Sequence, residues 1–312
     1  MTALTRSPAR PEADARRQPA RRESYWPYLL PMAIGFAVIV LIPLGANVVI
    51  SLFSWRGGAA EMEWVGLGNY VDLLQDADFW KSFRNSLLMI VAIVVVPTVL
   101  GLVLAALLFN LVAPRYGGRI ASVLRGSFYL PQILPIAVAG FIWSWVMNTD
   151  AGAVNSVLRA LGITNPPDWL GDPRIAILTV MFMMMWLQLG YPLVIFMAAL
   201  GRVDPSLYEA ADLDGASFLQ QLRRITIPEI RPEIFIVSLT ATVAALKVFA
   251  PILILTGGGP EGSTVVPSYY AYRNFFELSQ VGYGSAIATV MAGVILVVAL
   301  VMLWFQRRTE NV

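Results

Sequence analysis

Six stretches of the chain are apolar at nearly every position: Tyr28 to Phe53, Ser86 to Val112, Phe128 to Val146, Ile175 to Leu200, Ile234 to Thr256 and Ile287 to Phe305. A helix that is apolar all round is poorly suited to water, but in lipid it satisfies its backbone N–H and C=O groups internally. Each run has at least the roughly 18 residues that a ~30 Å hydrocarbon core requires. The pattern predicts an all-α, polytopic membrane protein with six transmembrane helices. Pro43, Pro97, Pro135, Pro192 and Pro251 fall inside the runs. Neighbouring helices in lipid can re-satisfy the backbone that a proline frees, so these positions predict bent helices around an interior.

Composition narrows the chemistry. Of 312 residues, 57% are apolar and 13% charged, and the chain has neither cysteine nor histidine. Disulfides, thiol nucleophiles, Cys/His zinc sites and histidine acid–base chemistry are excluded. Every Asp and Glu lies outside the apolar runs, so no catalytic or metal-binding residue is expected in the membrane. An ion-coupled secondary transporter normally places carboxylates there, which makes it a rival reading without a residue to carry it. A net charge of +2 predicts no nucleic-acid partner.

Charge placement orients the chain. Fifteen of the 22 Lys and Arg fall in the N-terminal tail, the second and fourth loops and the C-terminus. The positive-inside rule then puts both termini in the cytoplasm of a multi-pass protein. Residues 1–24 are rich in Arg, Ala and Pro without apolar periodicity and are expected to be a disordered cytoplasmic tail. Residues 25–312 form the membrane domain.

The cytoplasmic loop at about 201–233 has its own pattern. Asp204 can cap a helix that starts at Pro205, where the missing N–H is harmless. Leu207, Ala210, Ala211 and Phe218 form a small apolar face, and Gly215 permits a sharp turn. The expectation is a short helix, a glycine turn and a second short helix that ends before Pro228. From the residues alone the loop could press into another protein or lie on the bilayer surface as an amphipathic connector.

Glu209-Ala210-Ala211, Asp214-Gly215-Ala216 and Thr226-Ile227-Pro228 resemble the EAA loop of permease subunits in bacterial ATP-binding-cassette (ABC) importers, although Ile227 stands where Leu is commoner. Val65-Gly66-Leu67-Gly68-Asn69-Tyr70, Phe128-Tyr129-Leu130-Pro131 and Thr256-Gly257-Gly258-Gly259-Pro260 resemble the carbohydrate-uptake branch related to the maltose and glycerol-3-phosphate permeases. Ala250 departs from that branch, where Asp commonly follows the phenylalanine. The resemblance implies a type I ABC importer permease fold in the bacterial cytoplasmic (inner) membrane. It also implies a sugar or oligosaccharide substrate, with glycerol phosphate or another small polar metabolite as the alternative. By the same resemblance, Glu209, Ala210, Ala211, Asp214, Gly215, Ala216 and Pro228 would couple to the ATPase.

The chain has no phosphate-binding Gly-x-x-x-x-Gly-Lys-Ser/Thr loop. No cofactor is therefore expected on it, and ATP and Mg would belong to a partner. The implied partners are two copies of a cytoplasmic ABC ATPase, a second, homologous permease completing a heterodimer, and an extracytoplasmic sugar-binding protein.

Four residues are candidates for the substrate pathway. Lys247 is the one ionisable side chain inside an apolar run, and an intramembrane charge is expensive unless it faces a polar space or a partner. Trp186, Gln188 and Tyr191 combine aromatic faces, which stack on sugar rings, with an amide that both donates to and accepts from hydroxyls. Packing in a helix bundle would account for the aromatics equally well.

Overall fold

The structure is a computed structural model that describes residues 26–310. The tail 1–24 lies outside the described residues. The chain divides into two compact units, Met1–Ala46 and Asn47–Val312. The first contains most of one apolar helix, and the second contains the remaining spans and their connections.

The fold is all-α and membrane-spanning, but the count of six spans is wrong. Among the described residues, four helices are long and apolar enough to cross a membrane: Tyr28–Ile50, Ala77–Tyr116, Ala176–Leu200 and Val281–Arg308. Gly118–Ile133 and Ile136–Val146 form a pair bent by 96°, which gives a fifth span if the pair is taken as one. The bend is local in origin. Leu134 precedes Pro135 and takes up extended backbone, with ψ 132°, because the proline ring disfavours helical geometry in the residue before it.

The run Ile234 to Thr256 is where the sixth span fails. Its helix Arg231–Leu246 stops at Lys247, and a separate six-residue helix, Ala250–Leu255, starts after Phe249. Phe249 has φ −143° and ψ −61°, well away from helical values. Pro251 sits in the first turn of the short helix, where its missing N–H is tolerated, whereas one turn into a continuous helix it would remove a hydrogen bond and clash. Apolar composition persisted across this break, while the helix did not.

Other prolines are absorbed without a break. Pro43, Pro97, Pro114 and Pro228 each stand two residues beyond a five-residue π-turn, at Ala37–Leu41, Val91–Val95, Leu108–Val112 and Leu222–Thr226. A proline ring collides with the carbonyl four residues before it. In all four cases that residue lies within the wider turn, which opens the room required. The second loop helix accordingly does not end before Pro228: it continues through the π-turn into Ile227–Glu229.

Close helix contact rests on small residues, as expected where lipid is as apolar as the side chains and packing supplies the attraction. A Cβ on Gly101 would lie 3.0 Å from Pro192 Cβ, and one on Gly190 would lie 2.7 Å from the Phe128 carbonyl oxygen. Around these contacts, Leu193, Phe196, Leu200 and Val237 form one apolar core, while Met89, Met183, Ile252 and Val266 belong to another.

Asparagines fasten the loops. The Asn69 amide donates to the carbonyls of Ser51 and Phe53, and Asn85 donates to those of Ser263 and Val265. Asn155 does the same for Thr149 and Pro167. The Gly-Leu-Gly-Asn-Tyr element thus closes on the end of the first span, helped by the Tyr70 and Ser51 hydroxyls at 2.5 Å. In the glycine-rich turn, Gly257 and Gly258 have φ of 56° and 80°, a conformation that favours glycine. The Gly257 carbonyl accepts from the Tyr269 hydroxyl at 2.8 Å.

Candidate functional site

Two places concentrate the residues singled out by sequence. The first is a cavity of about 210 Å³ between the helices, lined among others by Thr98, Gln132, Gln188, Tyr191 and Thr240. Gln188 and Tyr191 lie on either side of the junction between Ala176–Gln188 and Gly190–Leu200. The structure therefore brings these two candidates to one space. Thr98 comes from the second span just after Pro97, Gln132 from the last turn of Gly118–Ile133, and Thr240 from Arg231–Leu246. Four separate stretches of helix thus converge on it.

The polar groups here differ in how far they are satisfied. Thr240 Oγ1 donates to the Ile236 carbonyl at 2.8 Å, and the Tyr191 hydroxyl lies 3.4 Å from Thr240 Oγ1. Thr98 Oγ1 and Gln132 Oε1 are buried and have no hydrogen-bond partner in the chain. No Lys, Arg, Asp or Glu lines the cavity.

Trp186 and Lys247 are placed elsewhere. Trp186 meets Trp143 edge to face at 5.6 Å between ring centroids and is 37% exposed. Lys247 caps the end of Arg231–Leu246 at the helix break and is exposed. Neither lines the cavity. Thr98, Gln132 and Thr240 were missed in the sequence. Their signal was present, since each is a polar residue in or beside a long apolar run, but nothing in a linear pattern shows which polar positions converge.

The second place is the loop. Asp204 Oδ1 accepts from the Ser206 N–H at 3.0 Å, and Pro205 opens a helix that ends at Leu213. The Asp204 carboxyl is held below the usual carboxylate range, chiefly by that backbone hydrogen bond. Gly215, with φ 71°, makes the turn. Ser217 and Gln220 form a capping box for the second helix. Its two donors and acceptors satisfy each other's helix-end groups. The Gln221 amide bonds Asp212 at 2.6 Å and the Tyr208 hydroxyl meets Thr226 at 3.0 Å, tying the two helices into a hairpin. Arg202 and Glu233 form an ion pair across its base.

The hairpin presents Glu209, Ala210, Asp214 and Gly215 to its exterior. Leu213, 91% exposed, projects at the tip. An apolar side chain so exposed beside the turn is the kind of feature that marks a protein contact. Glu209 and Ala216 also border a groove of about 350 Å³ against Phe109 and Pro114 at the end of the second span. Pro228 is exposed and lies within the continued second helix. Among the described residues, no three Asp or Glu side chains converge as metal ligands.

Residues 111–311 match the family described as "Binding-protein-dependent transport system inner membrane component". The chain is similar to the probable ABC transporter permease protein YurN of Bacillus subtilis, with 34% identity over 89% of this chain and 95% of that protein. It is also similar to the diacetylchitobiose uptake system permease protein NgcF of Streptomyces coelicolor, with 34% identity over 90% of this chain and 81% of NgcF. Its fold matches a chain in the crystal structure of a bacterial ABC transporter involved in the import of the acidic polysaccharide alginate. That match has a TM-score of 0.78 at 24% identity and covers 91% of this chain and 94% of the other.

Proposed function

Because the chain belongs to the family of inner membrane components of binding-protein-dependent transport systems and is a transport permease subunit rather than an enzyme, we propose that it forms half of the translocation pathway of an ATP-driven importer for a sugar or oligosaccharide. The observation that carries the substrate class is the cavity that joins Gln188 and Tyr191 to Thr98, Gln132 and Thr240. Amide and hydroxyl groups inside apolar spans suit a solute rich in hydroxyls. Glycerol phosphate, the alternative, would need a cation that the lining lacks. The curated relatives include a diacetylchitobiose uptake permease and a trehalose/maltose transport permease, which supports the same class.

The pathway closes in a heterodimer with a second, homologous permease. Trp186 and Lys247, exposed in this chain, face the shared pathway or that partner. A soluble binding protein delivers the sugar on the extracytoplasmic side. The 201–233 hairpin is the coupling element: Glu209, Ala210, Ala211, Asp214, Gly215, Ala216 and Pro228 engage a cytoplasmic ATPase. ATP and Mg are bound by two copies of that ATPase. Both termini lie in the cytoplasm of a bacterium, and residues 25–312 form the membrane domain.

The test is reconstitution. The chain is co-purified with its ATPase and second permease, placed in proteoliposomes with ATP inside, and supplied with binding protein and radiolabelled sugars. ATP-dependent sugar uptake is expected. Failure to retain any ATPase on purification, or uptake that follows an ion gradient without ATP, would reject the reading.

A further inference from the structure

The two ends of the 201–233 hairpin join the membrane differently. On the first side, the span Ala176–Leu200 closes with tight bonds from the Arg202 N–H to Ala199 and from the Val203 N–H to Leu200, and a new helix starts only at Pro205. That helix, which carries Glu209 to Leu213, buries none of its residues. On the second side, the Ile230 N–H donates to the Thr226 carbonyl and the Ile234 N–H to that of Ile230. The helical ladder thus runs from the π-turn into Arg231–Leu246. Leu222 and Ile230 anchor this arm in the apolar core beside Leu200 and Val237. One side is therefore a turn, and the other a nearly continuous, seated helix. The groove against Phe109 and Pro114 leaves that flank of the hairpin loosely packed.

Arg202 sits in the turn, and its guanidinium donates to the Glu233 carboxylate in the first turn of Arg231–Leu246. A negative charge there also suits the helix dipole. We propose that Arg202 and Glu233 are positioning residues for coupling: their ion pair fastens the end of Ala176–Leu200 to Arg231–Leu246, so that a push on the hairpin moves both helices together. This rests on the coupling reading above and names the joint through which the hairpin acts. The Tyr208–Thr226 and Gln221–Asp212 bonds hand a displacement of the first hairpin helix to the second arm. From there it reaches Arg231–Leu246 directly. Apolar contact with the neighbouring span is non-directional, whereas a charge-assisted hydrogen bond fixes one helix end against the other. The two helices carry Gln188, Tyr191 and Thr240, which line one cavity, so their joint movement would reshape it. The Arg202 side chain is 67% exposed, and such a pair adds little to stability. Its loss should change movement rather than folding.

The test needs no knowledge of the sugar. In this cysteine-free chain, Tyr191→Cys and Thr240→Cys are introduced singly, the chain is purified with its ATPase and second permease, and the rate of maleimide labelling is compared without nucleotide and with ATP plus vanadate. Both sites should respond to nucleotide. With Arg202→Gln added, Thr240→Cys should still respond, while the response at Tyr191→Cys should shrink about two- to fivefold, the scale of a largely exposed ion pair. Arg202→Glu should shrink it further, and Arg202→Glu with Glu233→Arg should restore it. An undiminished Tyr191→Cys response in Arg202→Gln, no recovery in the double reversal, or loss of ATPase retention in Arg202→Gln would overturn the proposal. Absence of any nucleotide response at either site with Arg202 and Glu233 intact would instead reject the coupling reading.

Discussion

The hydroxyl of Tyr283 donates to Oδ2 of Asp76 at 2.5 Å, although 207 residues separate them. Tyr270 donates to the same oxygen at 2.6 Å, while Oδ1 accepts from the N–H groups of Asp78 and Phe79. One carboxylate therefore caps the second span and clamps two later helices to it. Burial pushes the Asp76 carboxyl up, but the two tyrosine hydroxyls and the two backbone N–H groups outweigh it and hold it below the usual range. Burial and the neighbouring Asp76 raise the Tyr270 phenol, so it remains a donor.

Breaking this clamp should cost stability. Tyr283→Phe removes one hydrogen bond to a charged acceptor, about 1.5–3 kcal/mol, and Asp76→Ala removes all four. Thermal unfolding in detergent should show both, with Asp76→Ala much the larger. The depressed carboxyl makes its contribution in full above its unfolded pKa of about 3.9 and loses it as pH falls through the lower folded value. Stability should thus drop more steeply below about pH 4 in wild type than in Asp76→Ala. Parallel acid profiles for the two proteins would contradict this role.

Gly282 marks a contact with no room for a side chain. A Cβ there would stand 1.9 Å from the Phe53 carbonyl oxygen, in backbone, whereas one on Gly293 in the same helix meets nothing within 4 Å. Gly282→Ala should sharply lower the yield of folded protein in membranes, and Gly293→Ala should not. Equal yields would mean that the end of the last span is not seated against Phe53.

Gly215 has open space around its Cβ position but a φ of 71°. Substitution there is a backbone effect: Gly215→Val should distort the hairpin turn, leave membrane insertion intact and reduce co-purification of the ATPase. Undiminished ATPase binding together with undiminished uptake would argue against coupling through this turn.

The cysteine-free chain makes topology directly measurable. Ser206 in the hairpin and Ala59 between the first two spans are both exposed. With a membrane-impermeant thiol reagent on intact cells, Ala59→Cys should label and Ser206→Cys should label only after permeabilisation. The reverse result would invert the orientation.

The sequence by itself determined what depends on short-range chemistry. All-round apolar runs require lipid, and Asp204-Pro205 followed by Gly215 requires a capped helix and a turn, because these rules act within a few residues. It also singled out Gln188 and Tyr191, which line one cavity. The tertiary structure alone decided the rest. Whether a proline breaks a helix, as at Leu134-Pro135 and before Pro251, or is absorbed by a π-turn, as at Pro97 and Pro228, depends on what packs around the freed backbone. Composition is blind to that, so the count of six spans failed at Lys247 to Phe249. The convergence of Thr98, Gln132 and Thr240 with Gln188, and of Tyr270 and Tyr283 on Asp76, joins residues far apart in sequence. Such pairings are set by which helix faces meet, and in lipid that choice rests on packing and on the pairing of a few polar groups.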